Sequence, residues 1–240
     1  MNTPARRFQA LGSILALSSL CLAAPAMGQV AASLSLESDY RFRGVTLSDG
    51  HPVLSLSGSY DHKSGAYAGA SALAEDTAHD GVQMLGFIEY AGFAVRSSPA
   101  TAWDFGVSNS NFSLYRDQKY RLHYTEIYAG WGSENLSGRI YYSPNYFGAG
   151  TNTLYAELNG ALSPAPQWRL FGHVGVLSPL AAPASPEGRR ERYDLRAGVA
   201  RAFKDCELRL TFTAATPRDP NPSGPGRKSN AIVLGATVFF

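Results

Sequence analysis

The 240-residue chain is 45% hydrophobic and 17% charged, with a mean hydropathy of −0.15. Its 21 basic and 19 acidic residues become 19 of each once an amino-terminal leader holding Arg6 and Arg7 is set aside, which excludes the cationic surface of a nucleic-acid binder. One of the two cysteines, Cys21, lies in that leader, so Cys206 has no intrachain disulfide partner, and no later run reaches the roughly 20 apolar residues of a membrane helix.

Residues 1–26 read as an export signal: Arg6 and Arg7 form the positive start, Leu11 to Ala23 an apolar stretch too short to span a bilayer, and Ala24-Pro25-Ala26 a small-x-small cleavage site, with a cut after Gly28 as the alternative. Cys21 follows Ser18-Ser19-Leu20, without the small residue that precedes a lipidated cysteine. Residues 27–240 then form one domain. From Met27 to Ser110 the charge balance is −5, and from Asn111 to Phe240 it is +5, an asymmetry that bears on partners and fields rather than on fold.

Apolar and polar residues alternate with period two through the whole of this region. Leu34, Leu36, Tyr40 and Phe42 share one face against Glu37, Asp39 and Arg41; Leu208, Leu210 and Phe212 alternate with Glu207, Arg209 and Thr211. The pattern predicts about twelve strands, near 31–42, 53–60, 66–75, 82–91, 102–110, 122–131, 136–143, 152–162, 167–178, 192–203, 206–215 and 230–240. Long connections rich in Pro, Gly and charge (43–52, 110–121, 178–191, 216–229) take turns with short ones (61–65, 132–135, 163–166, 204–205). Such sorting fits an all-β, closed antiparallel transmembrane β-barrel in a bacterial outer membrane, with turns and both termini in the periplasm. With this orientation Tyr60, Tyr67, Tyr90, Trp103, Trp131, Trp168, Phe203 and Phe240 fall at periplasmic strand ends, as an interfacial girdle would.

The last strand, Ala231 to Phe240, presents Ile232, Leu234, Ala236, Val238 and Phe240 on one unbroken face. It resembles the closing strand of outer-membrane barrels, which implies delivery by the barrel-assembly machinery through Phe240. The stretch Ser38-Asp-Tyr-Arg-Phe-Arg-Gly-Val-Thr-Leu-Ser-Asp-Gly50 resembles the opening motif of proteobacterial TorF-type porins, with echoes at Gly65–Ala70, Thr125–Gly130 and Tyr141–Gly148. That resemblance implies an outer-membrane channel and names no substrate and no catalytic residue.

Strand parity directs Glu37, Asp39, Arg41, Glu89, Asp104, Arg139, Arg169, Arg196 and Arg209 into the lumen, together with Glu126, Glu157, Asp194 and Glu207. About one ionisable group per strand is costly in a dry core and tolerable in a wet pore. Arg43, Gly44, Asp49 and Gly50 cluster where the first strand enters its loop, and Arg41 or Arg43 could pair with Asp39 or Asp49 as a pore-mouth clamp or a gate. Three cationic loop groups, around Arg116, Arg189 and Arg227, suit lipopolysaccharide phosphates or simple solvation. No Gly-x-Ser-x-Gly elbow, His-Glu-x-x-His motif or phosphate-binding glycine loop occurs, so no cofactor or metal is expected. The expected function is passive diffusion of small hydrophilic solutes or ions. The alternatives are a structural or lipopolysaccharide-interacting barrel with a plugged lumen, and a barrel hydrolase using His123 or His173.

Overall fold

The computed structural model describes residues 29–77, 81–113, 121–146, 151–180, 191–216 and 229–240. The leader and the loop cations Arg116, Lys119, Arg189, Arg190, Arg218, Arg227 and Lys228 lie outside the described residues.

The chain begins with β1 (Gln29–Glu37), makes a small hairpin of β2 (Arg41–Phe42) and β3 (Val45–Thr46), and continues through β4 (Val53–Asp61), β5 (Ala66–Thr77), β6 (Gly81–Ser98), β7 (Thr101–Ser113) and β8 (Arg121–Gly132). Then follow β9 (Leu136–Ser143), β10 (Thr153–Ala165), β11 (Trp168–Pro179), β12 (Arg192–Ala202), β13 (Cys206–Ala215) and β14 (Asn230–Phe239). All but β2 and β3 join one sheet in which sequence neighbours pair antiparallel, and β14 returns to β1 with Leu34 opposite Val238 and Leu36 opposite Ala236. The result is a closed twelve-stranded barrel without an exposed edge.

Its faces are inverted relative to a water-soluble sandwich. Leu54, Leu56, Phe105, Val107, Leu208, Leu210, Phe212, Ile232 and Leu234 are exposed on the outside, whereas Ser55, Asp104, Glu126, Asp194, Glu207 and Thr213 are buried inside. A mainly apolar exterior around a polar interior is what a bilayer selects, because lipid solvates the outside and the closed ladder satisfies every strand's backbone. Residues 62–65, 99–100, 133–135, 166–167 and 203–205 make short turns at one rim. Tyr60, Trp103, Trp168, Phe203 and Phe240 are exposed there, with Trp131 directly opposite Trp103 in register. Arg201 faces outward at this rim with its guanidinium 5.2 Å from the Trp168 ring and 5.3 Å from that of Phe203. An arginine at the midplane costs about 2–4 kcal/mol, falling to about 0–1 kcal/mol near the interface. Leu234→Arg should therefore lower unfolding free energy in lipid vesicles by about 2–4 kcal/mol, and Arg201→Leu should move it by less than about 1 kcal/mol, as read by denaturant titration.

Three sequence expectations change here. The wall strand predicted over 31–42 ends at Glu37, where the Ser38 amide donates to Leu234 O (2.9 Å) and Ser38 Oγ accepts from the Leu234 amide (3.0 Å), so Asp39 and Arg41 are not wall residues. Glu89 is not in the lumen. A β-bulge sets Leu73 opposite Gly86 and Ala74 opposite Met84, leaving Leu85 as an extra residue, and both Leu85 and Gly86 are buried. The bulge reverses parity along the rest of β6, so Ile88 turns inward and Phe87, Glu89, Phe93 and Val95 turn outward. Tyr67 and Tyr90 leave the girdle for the lumen, Tyr90 through the same reversal and Tyr67 because the outward side of β5 is occupied by alanines.

Candidate functional site

The hairpin of β2 and β3 folds into the barrel. Its two-residue turn, Arg43-Gly44, has positive φ at both positions (48° and 73°), the type I′ geometry that matches strand twist. Asp39 organises the segment from inside. Its Oδ1 accepts from Thr46 Oγ1 (2.6 Å), Ser48 Oγ (3.2 Å) and the Gly50 amide (3.3 Å), while Oδ2 accepts from Arg41 Nε (2.6 Å). Asp49 and Gly50 close the loop with φ of 52° and 84°. Arg41 thus pairs with Asp39 within the hairpin, and its Nη1 donates to Gly44 O (3.1 Å).

Arg43 fastens the hairpin to the far wall. Its Nη1 and Nη2 donate to Glu126 Oε1 (3.0 Å) and Oε2 (2.7 Å) on β8, a bidentate pair in which the carboxylate side chain is 1% exposed. The guanidinium lies 3.8 Å from the Tyr155 ring centre and between 5.1 and 5.4 Å from those of Phe42, Tyr141 and Tyr146. Burial alone lowers its pKa, but Glu126 and the surrounding phenols hold it well above the ordinary arginine value, so the group stays cationic. A non-glycine residue in the left-handed region is strained; here the backbone that strains Arg43 also aims it at Glu126. Phe42 packs on Phe112 and Tyr124. The turn itself rests on the opposite side of the bore: a Cβ on Gly44 would meet Ala215 Cβ at 2.5 Å and Asp194 Cβ at 2.9 Å. Gly44→Val should unseat the hairpin while leaving the barrel folded. Protease added outside intact vesicles should then cut between residues 39 and 50, where the native chain resists.

Beneath the hairpin the wall charges pair with one another. Arg139 on β9 donates to Asp104 on β7, which also accepts from Tyr67 (3.0 Å), and Tyr67 and Tyr128 share a 2.8 Å hydrogen bond. Tyr141 donates to Glu157 (3.3 Å). Arg169 spans from β11 to Glu207 on β13 at 2.9 Å, and Arg209 lies 3.4 Å from Glu207 and 3.9 Å from Glu37. Arg196 forms no ion pair and its buried Nε lacks a hydrogen-bond partner among the described residues. It lines a cavity of about 50 Å³ with Glu37, Arg41, Arg43, Glu157 and Arg209. Of the expected lumen residues, Glu37, Asp104, Arg139, Arg169, Arg196 and Arg209 thus face the bore from the wall, Asp39 and Arg41 from the hairpin, and Glu89 faces away.

Two features escaped the sequence reading. The lumen sides of β1 and β4 are serine-rich, with Ser35 bonded to Thr237 of β14 and Ser57 to Ser71 of β5 at 2.9 Å, a small-hydroxyl track beside the charged belt. The alternation Ser55-Leu56-Ser57-Gly58-Ser59 was its signal. Tyr141, Tyr146 and Tyr155 surround the Arg43 guanidinium and continue through ring contacts to Tyr124 and Tyr128; they are scattered in sequence and, Tyr146 apart, gathered by strand register. Of the two histidines considered for hydrolysis, His123 points outward. His173 lies inside with Nε2 2.8 Å from Asp194 and 3.2 Å from Tyr155, and Nδ1 2.6 Å from Asn159, so both ring nitrogens are engaged by neighbours rather than by a serine.

Residues 23–215 match the family model described as bacterial protein of unknown function, Gcw_chp. The chain belongs to the Gcw_chp family. No curated protein matches it. Among solved structures, this Gcw_chp barrel is similar to the NanC porin (9% identity, TM-score 0.58) and the KdgM porin (9% identity, TM-score 0.54), each alignment covering 88% of this chain and 99% of the other. The KdgM porin in complex with disordered oligogalacturonate aligns at 10% identity and TM-score 0.53, over 88% of this chain and 99% of that one. At such identities the likeness is one of fold.

Proposed function

We propose that this Gcw_chp protein is an outer-membrane channel for passive diffusion of small hydrophilic solutes or ions, constricted by its own 39–50 hairpin. One observation carries this: ionisable and hydroxyl side chains line the inside of a cylinder whose outside is mainly apolar. A core built only for stability would favour well-packed hydrophobic residues over so many ion pairs. A wet bore tolerates them and uses their transverse field to orient polar solutes. The likeness of residues 38–50 to the TorF-type opening motif agrees with this role, and that motif coincides with the constricting hairpin. Export by residues 1–26, assembly through β14, and lipopolysaccharide contact by the loop cations complete the proposed setting.

A second reading, a barrel whose lumen stays plugged, draws on the hairpin's contacts with both sides of the bore. Planar-bilayer recording of the full native chain distinguishes the two. Discrete conductance steps with a reversal potential set by the salt gradient support the channel. Silent bilayers from protein that is folded and inserted overturn it in favour of the plug.

A further inference from the structure

Depth on the outer surface can be read from register. On β6, β7 and β8 the rungs rise from Val95–Trp103–Trp131 at the girdle through Phe93–Phe105–Ala129 and Ala91–Val107–Ile127. The next rung is Glu89–Asn109–Thr125, followed by Phe87–Asn111–His123. Glu89 therefore sits six residues above the tryptophan row. At about 3.4 Å per residue and a tilt near 40° this is roughly 15 Å into an apolar band about 25 Å tall. Apolar side chains continue on both sides of it along β6, with Phe87 and Met84 above and Phe93 and Val95 below all exposed. At similar heights β4 shows Leu54, β13 Phe212 and β14 Leu234. The polar patch thus belongs to three adjacent strands of the barrel.

Its members are Glu89, Asn109, Asn111, His123 and Thr125. Asn109 donates to Thr125 Oγ1 (2.9 Å) and accepts from Asn111, whereas Glu89 makes no hydrogen bond or ion pair among the described residues. An unpaired carboxylate among acyl chains is unfavourable. Lipopolysaccharide phosphates, of the same sign, do not relieve it. A protein surface offering donors at the same depth does.

We infer that this face is the contact with a second copy of the same chain, on a two-fold axis running along the membrane normal past β7. All copies insert in one direction, so a symmetric contact within the membrane requires an axis along the normal. A two-fold at β7 sets β6 of one protomer against β8 of its partner at equal depth. Glu89 then meets the hydroxyl of Thr125 and the imidazole of His123, and Asn109 meets its own symmetry mate, so every group of the patch finds a donor or acceptor. The flanks also match. The outward side of β5 is a flat run, Ala66, Ala68, Ala70, Ala72 and Ala74, that faces the bulkier β9 side, where Ile140 is exposed. The inference rests on the membrane placement proposed above and not on conduction.

The test is site-directed crosslinking of the full chain in isolated outer membranes, in a Cys206→Ser background, with a short bis-maleimide. Asn109→Cys should give a dimer as the main product, and Leu210→Cys, on the opposite wall of the barrel, should stay monomeric. Heat-modifiable gel migration establishes that each variant is folded. In mild detergent the Glu89→Leu, Asn109→Leu double variant should elute as a monomer where the native chain elutes as a dimer, with single-channel conductance unchanged. A folded Asn109→Cys chain that remains monomeric overturns the inference, as does equal crosslinking at Leu210→Cys or a product containing a different protein. Failure of the channel proposal would appear instead as silent bilayers with the crosslink intact.

Discussion

Replacing residues 39–50 with a short glycine–serine linker should raise single-channel conductance several-fold over the native chain and leave the barrel folded. The hairpin makes no ladder with the wall strands; its β2 and β3 pair only with each other. The cylinder closes without it through β1, β4 and β14. What it does occupy is the width of the bore, from Glu126 on β8 to Ala215 on β13. Eight strands leave room only for side chains and sixteen leave an aqueous channel, so in a twelve-stranded barrel an inserted hairpin takes a large share of the free cross-section. Unchanged conductance in the excised protein would show that the constriction lies elsewhere, in the belt of Asp104, Arg139, Glu157 and Arg169.

Glu126→Ala is expected to release the same hairpin without shortening the chain. The substitution leaves the Arg43 guanidinium buried and without its bidentate partner, an arrangement that costs about 3–5 kcal/mol. A wall strand so burdened would lower barrel stability. The hairpin has another outlet, because it is tethered only at its ends and can leave the bore, where water rehydrates Arg43. Conductance should approach that of the excised protein, while thermal unfolding of the barrel shifts little. Pairing Arg43→Leu with Glu126→Leu removes both charges, fills the space with apolar atoms beside Phe42 and Tyr155, and should return the hairpin to its seat. A fall in barrel stability with unchanged conductance after Glu126→Ala would instead make the ion pair a brace of the wall.

The barrel was legible in the sequence because an apolar outside and a polar inside impose a period of two. Predicted and observed bounds coincide for 136–143 and 206–215, where each residue faces one solvent or the other. The hairpin was not legible as such. Tyr40 and Phe42 continue the alternation of Leu34 and Leu36, yet their apolar environment is the inner surface offered by Phe112 and Tyr124, which no local pattern reveals. Gly44 and Gly50 did mark the tight turns, and Asp39 with hydroxyls at Thr46 and Ser48 is the signature of a segment that satisfies its own polar groups. Glu89 was misplaced because the bulge at Leu85 carries no proline and leaves composition unchanged; one extra residue suffices to exchange the two faces. The ion pairs among Asp104, Arg139, Arg169 and Glu207 join strands distant in sequence, so parity could direct these groups inward but could not match them.

The most direct test of the central claim uses the three tryptophans as they stand. Trp103, Trp131 and Trp168 all face outward at one rim, and the chain has no other tryptophan. In vesicles whose lipids carry bromine at graded depths, tryptophan emission should be quenched most by bromine placed just below the headgroups and less by bromine near the bilayer centre, with little quenching by aqueous iodide. Tryptophan emission insensitive to brominated lipid at every depth, from folded protein that stays in the aqueous phase, would contradict a lipid-facing cylinder.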